Sequence, residues 1–310
     1  MPADLPLVTI IALCHNHARF VAEALDSVAA QTYPNLEVWL VDDASTDGSP
    51  DILRRYAAAN PGWNLLLLPE NVRNCRAFNE AFRRSSGAFV IDFATDDVLL
   101  PERVARQVAF MQEQGPRCGM AYHDCELIDE ASQHVRNFYY RTPEGRISKP
   151  QPASGFILAD VLARHFISTP TMMMRRETLM ELGGYDETLA YEDFDFCVRA
   201  SPRWEFHFQD ALLTRKRLHP RSMSSKAHRP GDPNAASTIR VCEKALALCQ
   251  TPNEWAALAV RVRWELQQAV RFRHPREATR LFALLRQVTP LNLRDRLLGV
   301  AAALLNYVYR

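Results

Sequence analysis

Short apolar runs alternate with stretches of helical spacing over the first hundred residues. Residues 7–13 form a nearly continuous apolar run rich in β-branched side chains, the pattern of a strand buried on both faces. In residues 18–31, Phe20, Val21, Ala24, Leu25 and Val28 fall on one helical face. Residues 36–41 predict a second strand, ended by the turn-forming cluster Asp42-Asp43-Ala-Ser-Thr-Asp-Gly. A helix over 50–59, a strand over 64–68, a helix over 76–85 and a strand over 88–93 continue the alternation. Strand and helix in turn predict an α/β fold with a mostly parallel sheet, whose ligands sit beyond the C-terminal strand ends. Polar clusters stand at those ends: His15-Asn16-His17, Asp42-Asp43 and Thr95-Asp96-Asp97.

Further along, the spacing predicts a helix over 101–114 and strands over 118–122 and 171–175. Residues 142–155 are rich in turn formers and read as a loop, and 228–237 read as a linker. Beyond it, four helices are predicted over 236–250, 254–272, 276–288 and 293–309. The expected organisation is a Rossmann-like domain over 1–228 and an all-helical appendage over 229–310. No internal repeat is seen.

Composition narrows the classes. At 47% hydrophobic and 24% charged residues, the chain is neither disordered nor collagen-like. A net charge of +1 argues against a protein that binds nucleic acid over its whole surface. That balance hides an asymmetry: residues 240–310 hold 12 Lys and Arg against 5 Asp and Glu. An acidic body with a basic tail suggests two functional parts. The seven cysteines are scattered, and none forms a C-x-x-C pair, so neither a zinc ribbon nor a disulfide scaffold is indicated and a reducing, cytoplasmic setting is expected. The first residues lack a signal-peptide pattern. No apolar run approaches the roughly 20 residues that span a bilayer.

Four clusters carry candidate chemistry. A carboxylate of Asp42-Asp43 at a strand end can accept hydrogen bonds from a nucleobase or ribose, or can cap the next helix in competition with Ser45 and Asp47. Adjacent Asp96 and Asp97 repel each other unless a divalent cation neutralises them, and hard oxygen ligands suit Mg²⁺ or Mn²⁺; the alternative is a capping turn. In Glu192-Asp193-Phe194-Asp195, helical spacing sets Glu192 and Asp195 on one face and Asp193 off it. A carboxylate there serves as a general base or simply as acid enrichment at a helix start. His219, in Arg217-Leu-His-Pro-Arg, gains interest only beside a metal.

Taken together these segments resemble family 2 glycosyltransferases. The resemblance rests on the opening stretch from Val8 to Ser49, with Gln31-Thr-Tyr-Pro-Asn and Val41-Asp-Asp-Ala-Ser-Thr-Asp-Gly. It continues through Thr95-Asp-Asp-Val-Leu-Leu-Pro-Glu-Arg, Gly183-Gly-Tyr-Asp-Glu, Glu192-Asp-Phe-Asp-Phe-Cys-Val-Arg and Arg217-Leu-His-Pro-Arg-Ser-Met-Ser. It covers about residues 7–225 and implies the GT-A fold and an inverting, metal-dependent enzyme. By this resemblance Asp43 would bind the base of a nucleotide-sugar, with Leu13 and His15 lining the base pocket. Asp96 would ligate Mn²⁺ or Mg²⁺ at the diphosphate with His219 as a late ligand, and Asp97 would sit near the ribose or sugar. Asp193 would be the catalytic base. Gly183, Gly184 and Glu192 would border the sugar or acceptor. Three positions depart from the family pattern: Ala94 replaces the first metal-site Asp, Cys14-His15 replaces the usual pair at the first strand end, and Asn71-Val-Arg-Asn-Cys-Arg lacks a Gly. The last places Arg73 and Arg76 near the base or phosphates.

The expected reaction moves a sugar from a uridine diphosphate sugar, the family's commonest donor, to a hydroxyl of a glycan or lipid-linked acceptor, in cell-surface polysaccharide synthesis. Two other readings stay open. Ala94 allows a non-catalytic nucleotide-sugar or glycan binding module. A nucleotidyltransferase ranks lower, since the turn after the first strand has no Gly. A dinucleotide oxidoreductase is weaker still, without a G-x-G-x-x-G after any strand. The run Met172-Met-Met and His165 are candidates for the acceptor border, with core strand as the alternative for the Met run. The arginine-rich tail predicts either peripheral contact with the inner membrane face or a packed helical appendage that can make a homodimer.

Overall fold

A computed structural model describes residues 5–164, 166–220, 222, 232 and 234–309. The chain divides into two compact units that interleave in sequence. The first holds Met1–Phe156, Phe166–Glu187 and Arg203–His219, and the second holds Ile157–His165, Thr188–Pro202 and Pro220–Arg310.

In the first unit the elements run β1 (Val8–Cys14), α1 (Val21–Ala29), β2 (Leu36–Asp42), α2 (Ser49–Ala59), β3 (Asn64–Leu67), α3 (Arg73–Phe82), β4 (Phe89–Ala94), β5 (Val98–Leu99), α4 (Arg103–Gln114) and β6 (Cys118–Ile128). A short strand β7 (His134–Asn137) and the pair β8 (Tyr140–Arg141) and β9 (Ile147–Lys149) follow, so residues 142–155 are not loop throughout. In the second unit α5 (Leu158–Ala163) comes next. The chain returns to the first unit as β10 (Met173–Arg175) and α6 (Arg176–Glu181), visits the second as α7 (Asp193–Ala200), and comes back as β11 (Glu205–Arg217).

Among the described residues nine strands form one sheet in the order β3-β2-β1-β4-β10-β6-β11-β5, with β7 against β6. Its first half is parallel, as the alternation predicts: β3, β2, β1 and β4 pair in register through residues such as Val8↔Leu36 and Val8↔Phe89. The second half makes the sheet mixed. β10 is antiparallel to both neighbours, β11 is parallel to β6, and β5 is antiparallel to β11. The Met172–Met174 run is buried, which fits its reading as core strand; His165 lies outside the described residues.

Ile10, Ala12, Leu40, Ile91 and Phe93 meet Val21, Leu25 and Val28 of α1 in the core. Two buried polar side chains anchor α4 at the β10 crossover. Arg103 donates to the carbonyl of Met172 at 3.0 Å, and Gln107 donates to that of Thr171 at 2.9 Å. Both bonds supply partners to backbone acceptors where a short strand joins the sheet.

The second unit is helical: α5, α7, α8 (Ala235–Leu248), α9 (Pro252–Arg271), α10 (Pro275–Val288) and α11 (Leu293–Val308). The four tail helices lie within two residues of their expected bounds. Capping boxes start α9 at Thr251 and α11 at Asn292. Half of the predicted linker lies outside the described residues, and its last residues, 235–237, begin α8. Burial pushes the Glu265 carboxyl up to about 7, against the opposing pull of Arg261. A carboxyl raised on folding holds its proton more tightly in the native than in the unfolded chain. Stability therefore falls as pH rises from the ordinary 4.5 to about 7. Glu265→Gln is expected to remove this fall, worth up to about 3 kcal/mol. Urea unfolding at about pH 5 and about pH 8 checks it; equal pH dependence in both proteins would sink it.

Candidate active site

The C-terminal edges of β2, β1 and β4 carry two clusters. At the first, Asp42 and Asp43 end β2 and divide the work. Asp42 Oδ2 accepts from the Ser45 amide at 2.9 Å, and Asp47 Oδ1 accepts from that of Ser49 at the start of α2. Asp43 caps neither turn. Its amide donates to the Cys14 carbonyl, and its Oδ1 accepts from the Val72 amide at 2.7 Å. Burial raises the Asp43 carboxyl above its usual value despite that bond and the nearby His15. The His15 ring lies over this edge, with Nδ1 2.8 Å from the Asp43 carbonyl and the Asn71 amide 3.2 Å from both ring nitrogens. Leu13 is half-buried one step back on β1. The result is an exposed imidazole, a buried carboxylate and an amide standing together at the strand end, groups suited to a nucleobase.

Arg73 opens α3 with a left-handed φ of 68° and is exposed. Arg76, one turn on, faces Glu187 at 3.9 Å. Arg73 is thus the nearer in sequence to the Val72 amide that Asp43 holds, while Arg76 has a carboxylate neighbour of its own.

The second cluster forms at the end of β4. His219, 123 residues further along, brings Nε2 to 2.9 Å from Asp96 Oδ2. His17 approaches the same oxygen at 3.9 Å, with its Nδ1 3.0 Å from Thr95 Oγ1. Burial alone would raise the Asp96 carboxyl, but the bond from His219 and the two imidazoles hold it below its usual value. Burial, then the charge of Asp96, push Asp97 well above. Burial also lowers His17. Among the described residues no three His, Cys, Asp or Glu side chains are arranged to enclose a metal ion. The donors present, one carboxylate oxygen and one imidazole nitrogen, suit Mn²⁺ or Mg²⁺ when other oxygens complete the shell.

Arg217 fastens this cluster from beneath. The side chain is 1% exposed. Its amide donates to Asp97 Oδ1 at 2.8 Å, and its Nε donates to the Asp96 carbonyl at 2.9 Å. Its Nη1 reaches the Asp129 carbonyl and Ser132 Oγ, and its Nη2 reaches Glu23 at 2.7 Å. The guanidinium also stacks on Phe20, whose ring lies 5.3 Å from that of His219. Sequence reasoning missed Arg217 and His17 as site residues. The signal for His17 was the His-Asn-His turn; for Arg217 it was the motif shared with His219.

Gly183 and Gly184 end α6 with φ of 72° and 84°. The Gly184 amide returns to the Leu179 carbonyl at 2.8 Å, and a Cβ on Gly184 would meet Asn79 Oδ1 at 2.5 Å. A left-handed helix stop and close packing on Asn79 account for the pair.

In the second unit, Glu192 is the residue before α7 and Asp193 its first residue. Asp193 is half-buried, and its Oδ1 accepts from the Phe194 amide at 2.7 Å. Asp195 is buried and structural, held by Arg199 and Lys244. Helical spacing thus separates a carboxylate that pins the helix from Asp193 on another face.

Comparisons with known proteins agree with this architecture. Residues 9–183 match glycosyl transferase family 2. An uncharacterized glycosyltransferase of Rickettsia prowazekii is 27% identical over 224 residues, 72% of this chain and 67% of its own length. The putative teichuronic acid biosynthesis glycosyltransferase TuaG of Bacillus subtilis is 28% identical over 56% of this chain and 63% of its own. Among solved structures, S. aureus TarS 1–349 in complex with UDP-GlcNAc superimposes with a TM-score of 0.67 at 18% identity, covering 98% of this chain and 91% of that one. The mannosyltransferase PcManGT of Pyrobaculum calidifontis, in complex with GDP-Man and Mn²⁺, gives 0.57 at 20% identity, covering 100% and 89%. At such identities the structures speak for the fold, which is of the GT-A type. With the family match spanning more than half of its length, the chain belongs to glycosyl transferase family 2.

Proposed function

We propose that this glycosyltransferase inverts the anomeric centre of a nucleotide diphosphate sugar, a UDP-sugar in preference. The acceptor is a hydroxyl of a glycan or lipid-linked saccharide in cell-surface polysaccharide synthesis, at the cytoplasmic side. Asp43, Leu13 and His15 receive the base, with Arg73 and Arg76 toward the base or phosphates and Asp97 toward the ribose or sugar. Asp193 takes the proton of the acceptor hydroxyl as that oxygen bonds to the anomeric carbon and the bond to the diphosphate breaks. Gly183, Gly184 and Glu192 belong to the sugar and acceptor side. Asp96 and His219 would hold a divalent cation, which would neutralise charge on the leaving diphosphate.

The observation that carries this reading is His219 Nε2 at 2.9 Å from Asp96 Oδ2. An imidazole and a carboxylate from distant segments meet at the strand ends, beside the polar groups of His15, Asp43 and Asn71. TuaG, named for teichuronic acid biosynthesis, and TarS, solved with UDP-GlcNAc, support the choice of pathway class and donor. A panel of nucleotide-sugars, scored by nucleoside diphosphate release with and without chelator, tests it. Turnover of a UDP-sugar that chelation lowers and Mn²⁺ restores is expected. Binding without turnover across all donors and acceptors would instead make the chain a non-catalytic module.

A further inference from the structure

The terminal helix α11 turns its apolar side chains outward. Its buried positions are Asp295, Gly299 and Ala302. Asp295 takes two donors from Arg263 of α9, Nε at 2.9 Å and Nη2 at 3.1 Å. Gly299 lies against the Phe282 ring of α10, where a Cβ would come within 2.3 Å. These two fastenings set the rotation of the helix about its axis. Rolling it to bury leucines would pull a buried carboxylate from its partner and drive side chains into Phe282.

The outward face consists of Leu293, Leu297, Val300, Leu304, Tyr307 and Val308. Leu293, Leu297, Leu304 and Tyr307 are 75%, 63%, 61% and 82% exposed. The spacing keeps them on one stripe about 22 Å long. Single exposed leucines need no account, but a stripe over four turns marks an interaction surface.

Charge identifies the occupant. The exposed charges of α11 are Arg294 and Arg296 in its first turn, and Arg286 stands near the end of α10. Cations at a helix N-terminus oppose its dipole, so their placement there costs stability unless an anion meets them. Between Arg286 and Tyr309 the one acidic residue is Asp295, which is buried, held by Arg263 and near enough to Arg294 for their charges to attract, leaving Arg286 and Arg296 as the exposed cations without it. A second copy would bring the same arginines and, on this face, no exposed carboxylate to answer them. A phosphate-bearing surface answers them, since a guanidinium binds phosphate oxygens in pairs. Tyr307 and Tyr309, both exposed, suit the headgroup level at the other end.

We infer that α11 seats the protein on an anionic lipid bilayer, its leucines among the upper acyl chains and its arginines on lipid phosphates. Among the described residues no helix is long and apolar enough to cross a membrane, so the contact lies in the interface plane. It needs neither donor nor acceptor, and vesicle binding reads it without turnover.

The test is flotation of the full chain with phosphatidylcholine vesicles, with and without phosphatidylglycerol, at low and high salt. The protein is expected to float with the anionic vesicles at low salt. Leu297→Gln/Leu304→Gln should weaken binding by at least about tenfold, and Arg294→Gln/Arg296→Gln by about tenfold or more. Both pairs are exposed, so circular dichroism and thermal melting should match the parent. Three results would overturn the inference: no flotation with either vesicle, equal flotation of parent and leucine variant, or a dimer in lipid-free solution that the leucine variant dissolves.

Discussion

Asp193→Asn is expected to lower sugar transfer by about 10²–10⁴-fold while the nucleotide-sugar still binds. The general base of the proposed reaction must take a proton as the acceptor oxygen attacks, and an amide does not. The variant should fold. Asp193 is the first residue of α7 and half-buried, and its Oδ1 accepts from the Phe194 amide at 2.7 Å. The amide oxygen of Asn can accept the same bond. Loss of the negative charge at the helix start costs under about 1 kcal/mol. Kinetics at saturating acceptor, paired with calorimetric titration of the donor, separate the outcomes. A rate within tenfold of the parent removes Asp193 from the chemistry. Loss of donor binding along with rate points instead to a misfolded α7.

Arg217→Met is expected to cost about 3–5 kcal/mol of folding stability, the range for removing one partner from a buried charged network. The guanidinium is 1% exposed. It satisfies the Asp96 and Asp129 carbonyls, Ser132 Oγ and Glu23. Methionine fills much of the volume and answers none of these acceptors. Glu23 is 43% exposed and water can take over its share, so the loss falls mainly on the two carbonyls and the turn at Asp129. Arg217→Lys returns one charge without the fork, and is expected to recover less than half of the loss. Urea unfolding at neutral pH reads both variants. A cost below about 1 kcal/mol would mean that water replaces the guanidinium freely.

How far the sequence speaks differs by element. The strands β1 and β4 were legible because nearly every position is buried, which writes a nearly continuous apolar run, and β2 because its inner residues Val38, Leu40 and Val41 are buried. The strand β11, the longest at 13 residues, was not. Its Glu205-Phe-His-Phe-Gln-Asp-Ala-Leu-Leu-Thr-Arg-Lys-Arg is broken by register shifts against β6, and a bulge destroys the period-two pattern. The far half of β6 was hidden for another reason. His123 and Asp124 are buried, and a strand with buried polar residues does not look like one.

Of the site, the sequence alone established the residue types and their places at strand ends: Asp43, Asp96, Asp97 and His15 stand where a parallel sheet presents ligands. It also determined the helical tail, because helix periodicity and capping are local properties of the chain. Only the tertiary structure decided that His219 meets Asp96 across 123 residues, and that Arg217 is buried beneath both aspartates. It likewise decided that α11 shows its leucines to solvent. Local spacing says which side chains share a face. The direction that face takes depends on contacts made far along the chain, here Arg263 on Asp295 and Phe282 on Gly299, which no local pattern records.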